Sequence, residues 1–170
     1  MNKVIFLDLD GVINSTLSKN NITLPIKLKS GKMCHLTYWS VECIPPFLEL
    51  MEWCRENDIE IIISSTWRYN QTVDVFNNYF DSYFRWENKI PRVVGLTKYY
   101  YEDSRGIEIE EAIIDYNIDQ YIIIDDCSFD IVEVLGDNNF IKISPETGLT
   151  QTDVNNIKKL WDKNYKIQNT

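Results

Sequence analysis

The chain has 170 residues, of which 44% are hydrophobic and 25% are charged, a composition typical of one globular domain with its own core. Its net charge of -9 argues against a strong nucleic-acid-binding surface, because affinity for the phosphate backbone comes mainly from Lys and Arg. A phosphate-bearing small molecule held by a metal and one or two cations remains compatible with this charge.

The chain carries no apolar run of membrane length and no basic leader, so we expect no membrane partner and a cytoplasmic location. His35 is the single histidine and the four cysteines form no CxxC pair, which disfavours a zinc site or a disulfide scaffold. The shortage of histidine also argues against Ser-His-Asp and Cys-His mechanisms. Carboxylates are therefore the expected groups for acid–base chemistry.

The first predicted strand is the apolar run of residues 4–7, which leads directly into Asp8-Leu9-Asp10-Gly11-Val12. Asp8 and Asp10 therefore follow a strand of an α/β sheet, at the edge where such sheets bind ligands. Crowded carboxylates repel one another unless a cation or a shared proton intervenes, and hard oxygen ligands of this kind suit Mg²⁺. The alternative interpretation is a pair of solvated aspartates in a turn.

Alternating apolar and polar residues follow over residues 23–29 and 32–37, on either side of Ser30-Gly31. We predict a β-hairpin that turns at the glycine, as an insertion over about residues 20–38. Because this hairpin follows the first strand, it is either a flap over the site at the end of that strand or an ornament of the sheet edge.

A helix opened by Pro45-Pro46 comes next, with an apolar stripe that predicts one face packed on a core. A buried strand over residues 59–63 then runs into Ser64-Ser65-Thr66-Trp67-Arg68. Hydroxyl groups at the end of a strand are good partners for phosphoryl oxygens, although Ser and Thr also serve as helix N-caps. Both interpretations stay open for this segment.

A short third strand over residues 92–96 and a polar segment from Lys98 precede Arg105, which stands at the start of a predicted helix. A cation there meets the positive end of the helix dipole, and such a local conflict is a hint of function. The competing interpretation is an exposed basic residue in a loop.

The clearest strand covers residues 120–124 and ends in Asp125-Asp126. Adjacent carboxylates at the tip of a buried strand are costly unless they bind a cation. The other interpretation is that one of them caps a helix beginning at Ser128. A fifth strand over residues 140–143 and a terminal helix, which begins after Thr150 with a capping box, complete the chain.

Strands that alternate with helices predict a Rossmann-like, three-layer α/β/α fold of the α/β class, with a mainly parallel five-stranded sheet and the small β-hairpin flap. Right-handed crossovers place the carboxyl ends of all the strands on one side. The acidic pairs, the serine pair and Arg105 are therefore expected at one rim of the sheet.

At these four segments the chain resembles the haloacid-dehalogenase-like (HAD) phosphohydrolases, in particular their small members without a cap domain. The first strand with Asp8-Leu9-Asp10-Gly11-Val12 resembles their first motif, and residues 61–65 resemble the second. Arg105, or alternatively Lys98, occupies the position of the basic residue in the third motif, and residues 122–126 resemble the fourth. The resemblance covers nearly the whole chain, which is expected to be a single HAD-like domain over residues 1–170.

The resemblance implies a Mg²⁺-dependent phosphatase, a phosphomonoester hydrolase that works through an aspartyl-phosphate. Asp8 would be the nucleophile and Asp10 the general acid and base. Ser65, with Ser64 as the alternative, and Arg105 would hold the phosphoryl oxygens. The implied metal ligands are Asp8, the backbone carbonyl of Asp10, Asp126 and, in support, Asp125.

The connections after the first two strands are too short for a large cap, so the expected partner is a phosphorylated substrate that is bulky or loosely selected. A nucleotide, a nucleic-acid end and a phosphoprotein all fit this expectation. A phospho-receiver domain and a non-catalytic phosphate- or Mg²⁺-binding module are the alternatives. Receiver domains carry the acidic pair after the first strand and the phosphorylated aspartate two strands later, which is the reverse of the order here.

Overall fold

A computed structural model describes residues 2–22, 26–27, 33–34, 39–84, 91–100 and 104–166 of the chain. The strands in these ranges are β1 (Asn2–Leu7), β2 (Asn21–Ile22), β3 (Ile26–Lys27), β4 (Met33–Cys34), β5 (Trp39–Ser40), β6 (Glu60–Ile63), β7 (Val93–Leu96), β8 (Ile118–Asp125) and β9 (Phe140–Lys142). The helices are α1 (Ile44–Glu56), α2 (Val73–Phe84), α3 (Arg105–Asp115), α4 (Ile131–Leu135) and α5 (Gln151–Trp161). Short 3₁₀ turns lie at Val41–Cys43 and Thr66–Arg68, and a π-helical turn at Asp162–Lys166 follows α5.

The main sheet has the strand order β7-β6-β1-β8-β9, and each neighbouring pair is parallel. This arrangement confirms the predicted Rossmann-like sheet of five parallel strands. Two apolar cores cover its two faces, as expected for a parallel sheet with nearly continuous apolar strands. One core contains residues of α1, α2 and α5, and the other contains residues of α3 and α4. The architecture is therefore the predicted three-layer α/β/α fold.

The backbone hydrogen bonds between neighbouring parallel strands continue one residue past the strand ends, to the candidate site residues. The backbone amide of Asp8 donates to the carbonyl of Ile124 at 2.9 Å, and that of Ser64 donates to Leu7 at 3.0 Å. Asp8 and Ser64 are thereby fixed side by side at the carboxyl edge of the sheet, with Asp125 as the last residue of β8.

The turn after β8 differs from the prediction, because α4 begins at Ile131 and not at Ser128. The Asp125 side chain accepts a hydrogen bond from the amide of Cys127 at 2.9 Å, which bends the chain directly after the strand. Phe129 has a φ of 39°, a backbone conformation that is incompatible with a right-handed helix. The helical geometry therefore starts only after this residue.

The segment after β1 forms two small antiparallel pairs, β2 with β5 and β3 with β4. The pairing of β3 with β4 has the direction that the predicted hairpin requires. The predicted turn at Ser30-Gly31 lies outside the described residues, as does His35. A gating role for the hairpin, and the single-domain assignment of the whole chain, stay predictions. None of the helices in the described ranges has the length and apolar character needed to cross a membrane.

Candidate active site

Asp8 lies at the centre of the carboxyl edge, immediately after β1, and is almost completely buried. Nη1 of Arg105 lies 3.6 Å from its Oδ1, and the Ser65 hydroxyl lies close enough to favour the charged form of this carboxyl group. Burial raises the pKa of Asp8, although Arg105 and Ser65 act in the opposite direction by favouring the charged form. The first predicted site residue is thus a buried carboxylate between a guanidinium and a hydroxyl group.

Asp125 and Asp126 share this position with Asp8. One carboxylate oxygen from each of the three residues lies within 4.8 Å of the others. Burial raises the pKa of all three carboxyl groups, and repulsion by neighbouring carboxylates adds to the effect, from Asp126 on Asp8 and from Asp8 on Asp125. A cluster of this kind favours a bound cation, because the cation would offset charges that burial and mutual repulsion destabilise.

The two members of the acidic pair differ in what their oxygens contact. Asp125 is fully buried, and its oxygens accept hydrogen bonds from the amide of Cys127 at 2.9 Å and from Nη1 of Arg105 at 3.0 Å. Asp126 is only partly buried. Asp126 and Asp8 are therefore the better direct ligands, and Asp125 is suited to orient Arg105. Such all-oxygen ligands fit Mg²⁺, which commonly uses one or two carboxylates and several waters.

Gly11 lets the chain turn beside this cluster. Its φ is 70°, in the region that glycine adopts without strain. A Cβ atom at this position would lie 2.3 Å from Oδ2 of Asp126. The glycine is therefore required both by the backbone conformation and by the close approach of the Asp126 carboxylate.

Asp10 is exposed at the rim, and other side chains hold it in place. Nε1 of Trp67 donates to its Oδ2 at 2.7 Å, and Nδ2 of Asn14 donates to its Oδ1 at 3.0 Å. Oδ1 of Asn14 in turn accepts the amide of Gly11 at 2.8 Å. The charge of Asp10 also contributes to the raised pKa of Asp126, so the two carboxylates act on each other electrostatically.

Ser65 has a position that suits both roles considered for this segment, an N-cap and a hydroxyl group beside the phosphate site. It is the N-cap of the 3₁₀ turn, where its Oγ accepts the amide of Trp67 at 3.4 Å, and it is also close enough to Asp8 to lower the pKa of that carboxyl group. The Oγ of Ser64 is buried and has no hydrogen-bond partner among the described residues. Of the two hydroxyl groups, that of Ser65 is therefore the one next to Asp8.

Arg105 and Lys98 occupy different environments. Arg105 is buried beside Asp8 and Asp125, whereas Lys98 is exposed and pairs with Glu111 at 2.9 Å and Asp115 at 3.0 Å. The basic side chain that the structure brings to the cluster is thus Arg105.

The conflict between Arg105 and the dipole of α3 is relieved by Asp130. Its carboxylate oxygens accept the amide of Gly106 at 2.6 Å and that of Ile107 at 3.4 Å. This carboxylate caps α3, although it comes from the loop before α4. A Cβ at Gly106 would lie 2.8 Å from the carbonyl oxygen of Asp130, so the glycine permits this contact.

A buried ion pair between Arg68 and Glu108 was not predicted from the sequence. Both side chains are almost inaccessible, and Glu108 also accepts the amide of Tyr100 at 2.7 Å. The one local signal is that Glu108 stands three residues after Arg105 in a predicted helix. The guanidinium of Arg68 also donates to the backbone carbonyls of Ser64, Ser65, Thr97 and Lys98. Arg68 therefore ties together the loops that follow β6 and β7.

Residues 4–154 match the family described as the HAD domain in Swiss Army Knife RNA repair proteins. All four motif segments lie within this range. No curated protein matches the chain. The family match covers most of the sequence and agrees with the sheet order and with the position of Asp8 after its central strand. The chain therefore belongs to the haloacid-dehalogenase-like (HAD) family, as a HAD domain of the Swiss Army Knife RNA repair type.

Proposed function

We propose that this protein is a Mg²⁺-dependent phosphomonoester hydrolase that works through an aspartyl-phosphate on Asp8. The observation that carries the proposal is the cluster of Asp8, Asp125 and Asp126 within 4.8 Å, beside the guanidinium of Arg105. Membership of the HAD family supports a phosphohydrolase-type function in general. The substrate, the metal dependence and the mechanism are the parts that the proposal adds.

In the first half-reaction, a carboxylate oxygen of Asp8 attacks phosphorus and forms a bond to it. The ester bond to the leaving oxygen breaks at the same time, and Asp10 donates a proton to that oxygen. In the second, Asp10 takes a proton from a water molecule whose oxygen attacks the same phosphorus. The bond between phosphorus and Asp8 then breaks, which releases inorganic phosphate and restores the Asp8 carboxylate and the protonated Asp10.

Three charged or polar groups support the binding of a phosphoryl group next to Asp8. The Arg105 guanidinium and the Ser65 hydroxyl are the donors for the phosphoryl oxygens, since both lie beside the nucleophile. Asp125 orients Arg105 through the hydrogen bond of 3.0 Å. Because these groups are buried, their interaction with developing charge is stronger than it would be in water.

The proposed ligands of Mg²⁺ are Asp8, Asp126 and the backbone carbonyl of Asp10, with Asp125 in support. The bound ion would supply positive charge between two anionic groups, the carboxylate nucleophile and the phosphate. The clustered carboxylates with raised pKa values fit such an ion.

The family description names RNA repair proteins, so a terminal phosphate of RNA is one substrate to be tested. The net charge of -9 favours a limited contact with such a chain over a long electrostatic footprint. A nucleotide and a phosphoprotein remain within the proposal. We also retain the expectation of a cytoplasmic location.

The proposal is tested by hydrolysis of p-nitrophenyl phosphate with Mg²⁺ and with EDTA. We expect turnover only with the metal, and none in Asp8→Asn, whose circular dichroism should match that of the wild type. Asp81→Asn, an exposed aspartate on α2, is the matched control and should keep full activity. Turnover in Asp8→Asn at the wild-type rate would refute the nucleophile assignment. Metal and phosphate binding without turnover of any phosphomonoester would favour the non-catalytic module.

A further inference from the structure

A cavity of about 180 Å³ lies beside the carboxylate cluster and shares Arg105 with it. We infer that this cavity holds a planar heteroaromatic ring, the nucleobase of a nucleotide whose phosphate lies at Asp8. The inference rests on the proposed function and extends it to the class of substrate. The lining residues that carry it are Arg68, Tyr99, Ser104, Arg105, Glu108 and Phe129.

Two aromatic side chains provide surfaces on which a ring can stack. Phe129 is 39% exposed and Tyr99 is 40% exposed. Each ring lies against a buried guanidinium, with Cζ of Arg105 5.2 Å from the Phe129 centroid and Cζ of Arg68 5.2 Å from that of Tyr99. These contacts hold the rings in position, so little side-chain entropy remains to be lost when a ligand stacks on them.

The backbone of Phe129 supports a role in binding. A bulky residue with a φ of 39° is uncommon, because the left-handed region crowds its Cβ. The fold therefore tolerates a strained residue whose large apolar ring stays partly exposed in the lining of the cavity. Strain of this kind concentrates at ligand-binding positions.

The volume of the cavity limits the size of its occupant. Pockets for drug-sized molecules measure roughly 300–1,000 Å³. A cavity of about 180 Å³ is therefore matched to a single ring system and not to a peptide segment.

The polar groups of the cavity distinguish a base from a second phosphate. Arg68 is engaged by Glu108 and by backbone carbonyls, and Arg105 is engaged by Asp8 and Asp125. Arg68 is therefore satisfied within the protein, and Arg105 is the donor for the phosphoryl group at Asp8 in the proposed function, so neither cation of the lining is left for a second phosphate.

Ser104 favours a ring with polar edge atoms. Its Oγ is buried and has no hydrogen-bond partner within the described part of the chain. The side chain lines the cavity, so a ring nitrogen or exocyclic group of a base bound there is the proposed partner of its hydroxyl. A purely hydrocarbon ring would offer it no hydrogen bond. The lining therefore fits a heteroaromatic ring best.

The test compares ligands that differ by the base, in an Asp8→Asn background that prevents turnover. Binding of adenosine 5′-phosphate, adenosine 3′-phosphate and ribose 5-phosphate is measured by calorimetry with Mg²⁺. We expect at least one nucleotide to bind about tenfold more tightly than ribose 5-phosphate, as base–aromatic stacking predicts. Phe129→Leu and Tyr99→Leu, which keep apolar bulk without a ring, should remove most of this preference.

Tyr116→Leu is the matched control, because Tyr116 is as exposed as Phe129, at 39%. It lies after the C-terminus of α3, whereas Arg105 of the cavity stands at the N-terminus of that helix. This control should keep the preference for the nucleotide. Equal binding of nucleotides and ribose 5-phosphate would overturn the inference, as would an undiminished preference in both ring-deleted variants or no binding of either nucleotide. Hydrolysis of p-nitrophenyl phosphate by the wild type tests the proposed phosphatase function separately. The binding data can therefore overturn the nucleobase inference without overturning the phosphatase proposal, and the reverse also holds.

Discussion

Nε1 of Trp67 donates a hydrogen bond of 2.7 Å to Oδ2 of Asp10, across 57 residues of sequence. Asn14 donates to the other carboxylate oxygen at 3.0 Å, so donors from two segments fix the orientation of this side chain. In the proposed mechanism Asp10 transfers protons, and the rate of that transfer depends on the position of the Asp10 carboxyl group relative to the leaving oxygen. In that mechanism Trp67 would be a positioning residue for Asp10.

The first prediction concerns this hydrogen bond. Trp67→Phe keeps an aromatic ring against Tyr79 but removes the N–H donor. We expect kcat for an alkyl phosphate, whose leaving group needs protonation, to fall about tenfold, and kcat for p-nitrophenyl phosphate to change little. Steady-state kinetics over a series of leaving groups measures the difference.

Trp53→Phe, at a partly buried tryptophan on α1, is the control for a general effect of losing an indole. Asp10→Asn should show the same dependence on the leaving group, and adding Trp67→Phe to it should cost little more. Equal slowing of good and poor leaving groups by Trp67→Phe would contradict the positioning role.

The second prediction concerns Gly11. Gly11→Ala should lower the affinity for Mg²⁺, because its Cβ would lie 2.3 Å from Oδ2 of Asp126 and displace that carboxylate. The left-handed backbone should also cost about 1–2 kcal/mol of unfolding free energy. Metal titration by calorimetry and chemical denaturation measure the two effects.

Gly136→Ala separates these effects, because Gly136 has a φ of 74° with nothing within 4 Å of an added Cβ. This control should lose stability but keep its Mg²⁺ affinity. The same Mg²⁺ affinity in both variants would argue against Asp126 as a ligand.

The third prediction links pH to metal binding. Burial and the nearby Asp8 carboxylate raise the pKa of Asp125 to about 8, whereas the pKa of an unfolded aspartate is about 3.9. The folded protein therefore binds more protons between these two values. Without metal, the contribution of this group to the unfolding free energy should fall as pH rises from about 4 to about 8.

Mg²⁺ should reverse this loss, since it requires the ionised carboxylates and offsets their repulsion. At a concentration 100 times Kd, the ion should add about 2.7 kcal/mol, which corresponds to a rise in Tm of roughly 5–10 °C. At one fixed Mg²⁺ concentration the increment should be larger at pH 8 than at pH 5, because Kd falls as the carboxylates ionise; thermal unfolding with Mg²⁺ or EDTA measures it. An increment that does not change with pH, or that survives in Asp126→Asn, would contradict Mg²⁺ binding by the carboxylate cluster.

The fourth prediction concerns the buried pair of Arg68 and Glu108. Glu108→Gln leaves the guanidinium without its anionic partner in a buried position, which should cost about 3–5 kcal/mol of unfolding free energy. Glu111→Gln, on the same helix and paired with the exposed Lys98, is the matched control and should cost about 0–1 kcal/mol. Denaturant unfolding measures both, and equal losses would show that the buried pair does not stabilise the fold specifically.

Much of the fold follows from local patterns in the sequence. The apolar runs that became β1, β6 and β8, and the apolar stripes of α1 and α5, were predicted because burial of a strand or helix face leaves a periodic pattern. Alternation of strands and helices then restricts the topology, and right-handed crossovers bring the strand ends to one edge. The HAD family and its fold could therefore be predicted from the sequence. So was the convergence of Asp8, Ser64-Ser65 and Asp125-Asp126 on one edge.

Other features depend on packing between segments that are distant in the chain. The choice of Arg105 over Lys98, the capping of α3 by Asp130 and the hydrogen bond from Trp67 to Asp10 join residues that have no local pattern in common. Each of these polar groups has several possible partners in the sequence, and burial selects among them because an unpaired group away from water is costly. The sequence by itself therefore determined which carboxylates gather at the edge of the sheet. The tertiary structure decided which cation, hydroxyl and donors surround them.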